Sequence, residues 1–243
     1  MAEWSGGCMI FNEIATNNLF TEDLTGERNK VQTFLKENPQ SVIDIGGAMG
    51  SWADEVVTAY LDCNSTKYLS GKTNSLLFDG NISDYEGWMS VLDHVKENGK
   101  FDFAICTQTL EDIRNPQLVL KMLPQIAKEG YIDVPSKYHE FRINEKPDDH
   151  DRQIWGLRDN IIGYTGHRWI LNMVDGVFEL YPKLPFVEHL PGLDWLNSDP
   201  PEKMMLCFWW KDSIPFRTVN DDFIGPNPPS VYNYYREGLK RGL

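Results

Sequence analysis

One stretch of the chain sets a carboxylate beside nearly bare main chain: Asp44-Ile45-Gly46-Gly47-Ala48-Met49-Gly50, directly after the apolar Val42-Ile43. Small residues let backbone groups approach a ligand closely and allow conformations that larger side chains forbid. At the C-terminal end of a strand in an open parallel sheet, such a loop borders the ligand crevice. Two phosphate-binding patterns fail here. A dinucleotide GxGxxG motif starting at Gly46 would need glycines where Ala48 and Ser51 stand. Gly71-Lys72-Thr73 has the end of a Walker A motif, but Thr66 occupies its upstream glycine position, so it reads as a polar turn. Proton transfer near neutral pH points to histidine, and the chain has five. His94 sits among lysines and glutamates and reads as surface, and His189 lies in a proline-rich turn region. His139 follows a strand-like run ending at Pro135, and His167 opens Gly166-His167-Arg168-Trp169 ahead of another strand. His139 and His167 are therefore the candidate bases; hydrogen bonding without proton transfer is the plainer role for each. Asp148, Asp149 and Asp151 with His150 have the donors for a divalent cation, yet a solvated charged loop explains them as well. No metal site is assigned.

The elements that must position these groups alternate. Helical spacing of Val31, Phe34 and Leu35 predicts a helix over 27–37, ended by Asn38-Pro39. Strands are expected at 41–45, at 56–61 ending at Asp62, at 75–78, at 101–106 and at 131–134. A single helix over 51–62 is the competing assignment for the second of these. Helices are expected from about Ser83 to Val95 and through Leu118, Val119, Met122, Leu123 and Ile126, the latter closed by Gly130. Alternating strands and helices over 26–136 imply right-handed crossovers and a mostly parallel, doubly covered sheet. Beyond 137 the pattern changes: Asp175-Gly176 between 167–173 and 177–181 signals a hairpin. Met204–Lys211 reads as an aromatic strand, and Val231–Lys240 as a last short helix.

In order and context, residues 42–136 resemble the class I S-adenosylmethionine-dependent methyltransferase family, with the flavour of its small-molecule branch. Asp44 followed by Gly46-x-Ala48-x-Gly50 resembles the family's acidic residue and GxGxG loop, with alanine at the middle glycine. Asp62, 18 residues after Asp44, matches the acid that ends strand two and accepts hydrogen bonds from the ribose diol. Gly80-Asn81-Ile82 departs from the usual Gly-Asp-hydrophobic loop; the resemblance gives Asn81 the adenine amine and Ile82 the ring face. Thr107-Gln108-Thr109-Leu110-Glu111-Asp112 follows strand four, where the small-molecule branch often reads Leu-Glu-His. What the resemblance implies is a Rossmann-like α/β fold with an antiparallel C-terminal hairpin. It also implies S-adenosyl-L-methionine as cofactor, held by Asp44, Gly46, Gly47, Ala48, Gly50, Asp62, Asn81, Ile82, Thr107 and Gln108.

Composition narrows the partners. Among 243 residues the formal net charge is −13, which repels phosphate backbones and anionic bilayers. The hydrophobic share of 41% with 24% charged residues is enough for a sizeable core. No apolar run approaches the roughly 20 residues of a membrane span, no secretory signal is seen, and the four scattered cysteines form no paired ligand motif. The expected organisation is an N-terminal arm (1–25), an α/β domain (26–190) with 137–166 as a candidate lid, and a C-terminal extension (191–243) packing on it. The expected protein is a cytoplasmic methyltransferase of a small-molecule or glycan acceptor, methylating oxygen, with no nucleic acid or membrane partner. Homodimerisation stays open, and the competing reading is a binding or assembly protein that keeps the fold without the activity.

Overall fold

The structure, a computed structural model, describes residues 20–21, 23–38, 40–47, 50–71, 74–144, 161–184, 187–188, 204–219 and 228–240. Ala48, Lys72, Thr73, the 148–151 cluster with His150, and His189 lie outside the described residues.

The chain opens with β1 (Phe20–Thr21) and α1 (Leu24–Glu37). Asp23 caps α1 by accepting the Gly26 N–H at 2.8 Å, satisfying one of the donors a helix start leaves open. There follow β2 (Val42–Ile45), β3 (Ala59–Asp62), α2 (Ser65–Leu69), β4 (Leu76–Asp79) and a 3-10 turn (Tyr85–Trp88) that runs into α3 (Met89–Asn98). Next come β5 (Phe101–Thr107), α4 (Pro116–Ile126), β6 (Ala127–Pro135), α5 (Lys137–Glu140), β7 (Ile143–Asn144) and β8 (Ile161–Ile162). The chain ends with β9 (Trp169–Val174), β10 (Val177–Pro182), β11 (Met205–Lys211), β12 (Phe216–Thr218) and α6 (Pro228–Lys240).

The main sheet has seven strands in the order β1-β11-β6-β5-β2-β3-β4. Strands β2 to β6 are parallel, whereas β11 runs antiparallel to β6 and β1 antiparallel to β11. From β2 the chain steps outward to β3 and β4, then returns to β2's other side with β5 and β6. The order therefore reverses between β2 and β5, the switch point at which open α/β sheets hold ligands. Alternation along each strand feeds two apolar layers. Ile43 and Ile45 join Trp88, Val91 and the α4 stripe on one face. Val42 joins Val31, Phe34 and Leu35 of α1 on the other. A second sheet, β12-β10-β9, carries the hairpin; Asp175 and Gly176 both have positive φ, as its two-residue turn requires. Helix α6 packs Tyr234, Tyr235 and Leu239 against Phe141, Ile170 and Tyr181.

Several boundaries differ from expectation. The strand expected from Val56 starts only at Ala59, because 52–56 form a turn that buries Ala53 and Val57 beneath α1. Packing there overrides the β-propensity of Val56 and Val57. Gly130 does not close α4: the helix ends at Ile126 and Gly130 lies inside β6. A Cβ at that position would stand 2.3 Å from the Ala104 carbonyl oxygen and 2.7 Å from the Trp210 ring, so the strand needs glycine. His94 is not a bare surface residue but packs between Phe78 and Phe101, with ring centroids 5.5 and 5.4 Å away. Pro228 and Pro229 form the first turn of α6, where a missing N–H costs little.

Candidate functional site

Two glycines of the loop after β2 have no room for a side chain. Gly46 has φ +86°, donates its N–H to the Leu61 carbonyl at 2.9 Å, and a Cβ on it would lie 2.8 Å from the Thr109 side chain. A Cβ on Gly47 would fall 2.3 Å from the Asp44 carboxylate, whereas Gly50, at φ +136°, faces open space. Asp44 itself is 1% exposed, and among the described residues its Oδ1 has no hydrogen-bond partner. Burial pushes this carboxyl up to about 7; a hydrogen bond from Ser51 pulls the other way, and the carboxylates of Asp54, Asp133 and Asp62 add to the rise.

Around that loop the strand ends supply polar groups. Asp62 ends β3 half-buried, opposite Asp79 in register, with Oδ1 accepting the Cys63 N–H at 2.5 Å. The Asn81 amide is engaged in its own turn, accepting from Ser83 N–H at 3.0 Å and donating to Asp84 at 2.8 Å. Ile82, 8% exposed, belongs to the apolar core. At the exit of β5, Thr107 accepts the Trp52 indole N–H at 3.2 Å. Gln108, held at φ +48°, donates its amide to Asp133 at 3.0 Å. Asp133 also receives two bonds from Arg28, at 2.8 and 2.9 Å, a fork that fixes the α1 side of the rim. Sequence reasoning did not single out Arg28, Trp52 or Asp133, because their meeting depends on the packing of α1 across the sheet.

A second group lies where β5, β6 and the hairpin converge. Backbone N–H groups of Arg168 and Trp169 donate to the Glu111 carbonyl at 2.7 and 3.2 Å, and the Trp169 indole donates to the Ile113 carbonyl at 3.0 Å. These bonds pin the loop carrying His167 against the β5 exit. His167 Nδ1 lies 2.6 Å from Glu140 Oε1, and its Nε2 faces Asp112 at 3.8 Å. The other Glu140 oxygen takes Lys183 Nζ at 2.7 Å, and Lys183 also meets Glu188 at 3.2 Å and the Tyr164 carbonyl at 2.6 Å. Burial pushes the Glu140 carboxyl up, but Lys183 and the bond to His167 outweigh it and hold the group below its usual range. His139 lies nearby, its ring centroid 6.5 Å from that of His167, and burial pushes its imidazole down. The structure thus brings His139 and His167 together at the same edge of the sheet as the glycine loop. Glu111, Asp112, Glu140 and Lys183 join them; Leu110-Glu111-Asp112 was the visible trace of that group in sequence.

A cleft of about 720 Å³ lined by Glu37, Gln40, Asp102 and Lys128 lies at the opposite, N-terminal edge of the strands. Its position argues against it as the ligand site, since parallel sheets bind at strand C-termini.

A parallel sheet with its switch point under a glycine loop, flanked by a further antiparallel strand, defines a Rossmann-like methyltransferase fold. Residues 25–156 match the family described as "Methyltransferase domain", and the chain belongs to that family. The cofactor of this domain is S-adenosylmethionine. The residues fit it: a close-approach loop, a buried carboxylate with an orphaned oxygen, and an acid one strand over. Among solved structures, the N-terminal domain of EvdMO1, crystallised in the presence of SAH and D-fucose, is similar at 12% identity and TM-score 0.34, covering 88% of this chain and 73% of that one. A SAM-dependent methyltransferase from Thermotoga maritima is similar at 11% identity and TM-score 0.38, covering 79% and 97%. The glycopeptide N-methyltransferase MtfA complexed with SAH is similar at 8% identity and TM-score 0.39, covering 75% and 87%. Such distant likenesses do not bear on the acceptor. A comparison with curated protein sequences finds no match. Among the described residues, no helix is long and apolar enough to cross a membrane.

Proposed function

We propose that this protein transfers a methyl group from S-adenosylmethionine to an oxygen of a small-molecule or sugar-like acceptor. The observation that carries the reading is Asp44, a buried carboxylate beneath a glycine loop at the switch point, one of whose oxygens has no partner among the described residues. An unpaired buried anion is costly, and a cationic ligand removes the cost. When bound, the donor supplies a methyl group on a sulfonium, so that forming the carbon–oxygen bond leaves the carbon–sulfur electron pair on a neutral thioether. Asp44 offers its charge to the methionine end, Asp62 accepts from the ribose diol, and Thr107 and Gln108 line the crevice. On this reading Asn81 and Ile82 border the adenine with their backbone and exposed edges, because their side chains are committed to the turn and the core.

His139 fits the proton acceptor better than His167. Its ring makes no hydrogen bond among the described residues, and burial favours its neutral form. His167 has Nδ1 bonded to Glu140 and Nε2 facing Asp112 at 3.8 Å, so both of its ring nitrogens already face carboxylates. The acidic composition favours a small acceptor over nucleic acid or membrane, in a cytoplasmic setting.

Calorimetric titration with adenosylhomocysteine tests the cofactor half: saturable binding is expected, and its absence overturns the reading in favour of a fold kept for assembly. Labelled-methyl transfer onto a panel of sugars and hydroxy acids tests the acceptor half. His139→Ala should lower turnover at least tenfold without changing adenosylhomocysteine affinity.

A further inference from the structure

The geometry points to a divalent-cation site formed by Glu111, Asp112 and His167, with Glu140 as the positioning residue behind the histidine. One carboxylate oxygen from each acid and one imidazole nitrogen lie within 4.8 Å of one another. Donors sharing one ion with bonds of about 2.1 Å stand roughly 3–4 Å apart; His167 Nε2 and Asp112 Oδ1, at 3.8 Å, already do, and side-chain rotation of the carboxylates closes the set.

Two further observations separate this group from an ordinary acidic cluster. Glu111 is 1% exposed, and its Oε2 has no hydrogen-bond partner among the described residues. A bound cation would supply the partner that this oxygen lacks. His167 is also oriented as metal-bound histidines usually are, with one ring nitrogen bonded to a carboxylate and the other turned toward the site. Glu140 can serve there because Lys183, the cation beside it, is already bonded to Glu140, Glu188 and the Tyr164 carbonyl. The main-chain bonds from Arg168 and Trp169 to Glu111 hold the donors together before any ion arrives.

One imidazole nitrogen and two carboxylate oxygens suit Zn²⁺ best, and Mn²⁺, a harder ion, accepts one nitrogen among oxygens more readily than Mg²⁺ or Ca²⁺. Three protein donors leave positions open on the ion for an acceptor. The site is joined to the cofactor loop, because Thr109, two residues before Glu111, is the side chain packed against Gly46. On the methyltransferase reading, on which this role of the ion rests, it would bind the acceptor's hydroxyl and lower its pKa, the proton passing to His139. The acceptor class it selects presents two adjacent oxygens, a vicinal diol or a hydroxy acid, able to chelate the open positions.

The test is titration of the chelator-treated full chain with Mn²⁺, followed by electron paramagnetic resonance, with Zn²⁺ in a parallel calorimetric series. One saturable site per chain is expected. Glu111→Gln and His167→Asn should weaken it at least tenfold, and Glu140→Gln should weaken it by about 10–100-fold through the histidine. Should Glu111→Gln fail to fold, Asp112→Asn replaces it, since the Asp112 side chain is 58% exposed and its loss spares the core. No saturable binding of either ion, or equal binding by wild type and all these variants, overturns the site. Adenosylhomocysteine titration of the same chelated sample keeps the two failures apart. Cofactor binding without metal binding sinks this inference and leaves the methyltransferase reading, whereas metal binding without cofactor binding sinks the reading and its acceptor role but upholds the site.

Discussion

Asp133 and Glu140, on β6 and its exit, are as deeply buried as Asp44 and Glu111, on β2 and the exit of β5. The first two are saturated: Asp133 by Arg28 and Gln108, Glu140 by Lys183 and His167. Each of the other two keeps an oxygen with no partner among the described residues, and burial pushes them up to about 7 and about 8. Burial alone therefore does not mark a ligand site in this molecule. A carboxylate that the protein has paired is architecture; one that it has buried and left short of partners is held for something that binds.

Asp44→Asn gives the largest expected effect and tests the unpaired side directly. The Asp44 carboxyl is raised from 3.8 to about 7 in the folded protein, so the folded state resists ionisation that the unfolded chain accepts. Its contribution is fully present below pH 4, is lost as pH rises through about 7, and stays lost above that. Asp44→Asn should thus gain stability above pH 7, by at most on the order of 4 kcal/mol at 1.36 kcal/mol per unit, and gain nothing at pH 4. Urea denaturation at both pH values measures it, and an equal change at both would mean that folding does not raise the Asp44 carboxyl. Adenosylhomocysteine affinity should rise with pH through 7 in the wild type and lose that slope in the variant.

Glu140→Ala tests the paired side and should behave in the opposite sense. It leaves Lys183, whose side chain is fully buried, with Glu188 as its remaining carboxylate, and frees His167 from its anchor. Breaking a buried pair in this way costs about 3 kcal/mol or more, read as a lower urea midpoint at unchanged slope. Gly46→Ala should follow at about 2 kcal/mol, from the left-handed backbone and the collision with Thr109, with cofactor binding weakened in step. A neutral Glu140→Ala would erase the distinction between the two pairs of acids.

The unequal legibility of these regions in sequence has the same physical origin. The β2 loop and the acids at its end were readable because a glycine loop, an apolar strand and Asp62 are local signals at short spacing. So were the alternating elements through β6 and the Asp175-Gly176 turn. Asp133 could be read only as a strand residue, since Arg28 reaches it from 105 positions away. The Glu140–His167–Lys183 group likewise joins three elements through a docking that periodicity does not encode. His139 and His167 were singled out one by one, but that they adjoin, and that only His167 is anchored by Glu140, follows from β9 packing beside β6. Strand limits failed where burial overruled propensity, at Val56 and at Gly130.

Asp62→Ala carries the smallest effect and the sharpest discrimination. The residue ends β3 half-buried, and Cys63 and Asn64 after it are exposed, so its removal opens no core cavity and should leave the urea midpoint nearly unchanged. A carboxylate that accepts hydroxyl bonds from a ribose, however, contributes to binding alone. Losing it should weaken adenosylhomocysteine roughly tenfold, about 1.4 kcal/mol. The unchanged midpoint separates Asp62 from Asp44, whose replacement should raise it above pH 7, and from Glu140, whose replacement should lower it. If Asp62→Ala binds the cofactor as tightly as wild type, the diol is held elsewhere. The rim of β3 would then join Asp133 as architecture, leaving the cofactor side to rest on Asp44.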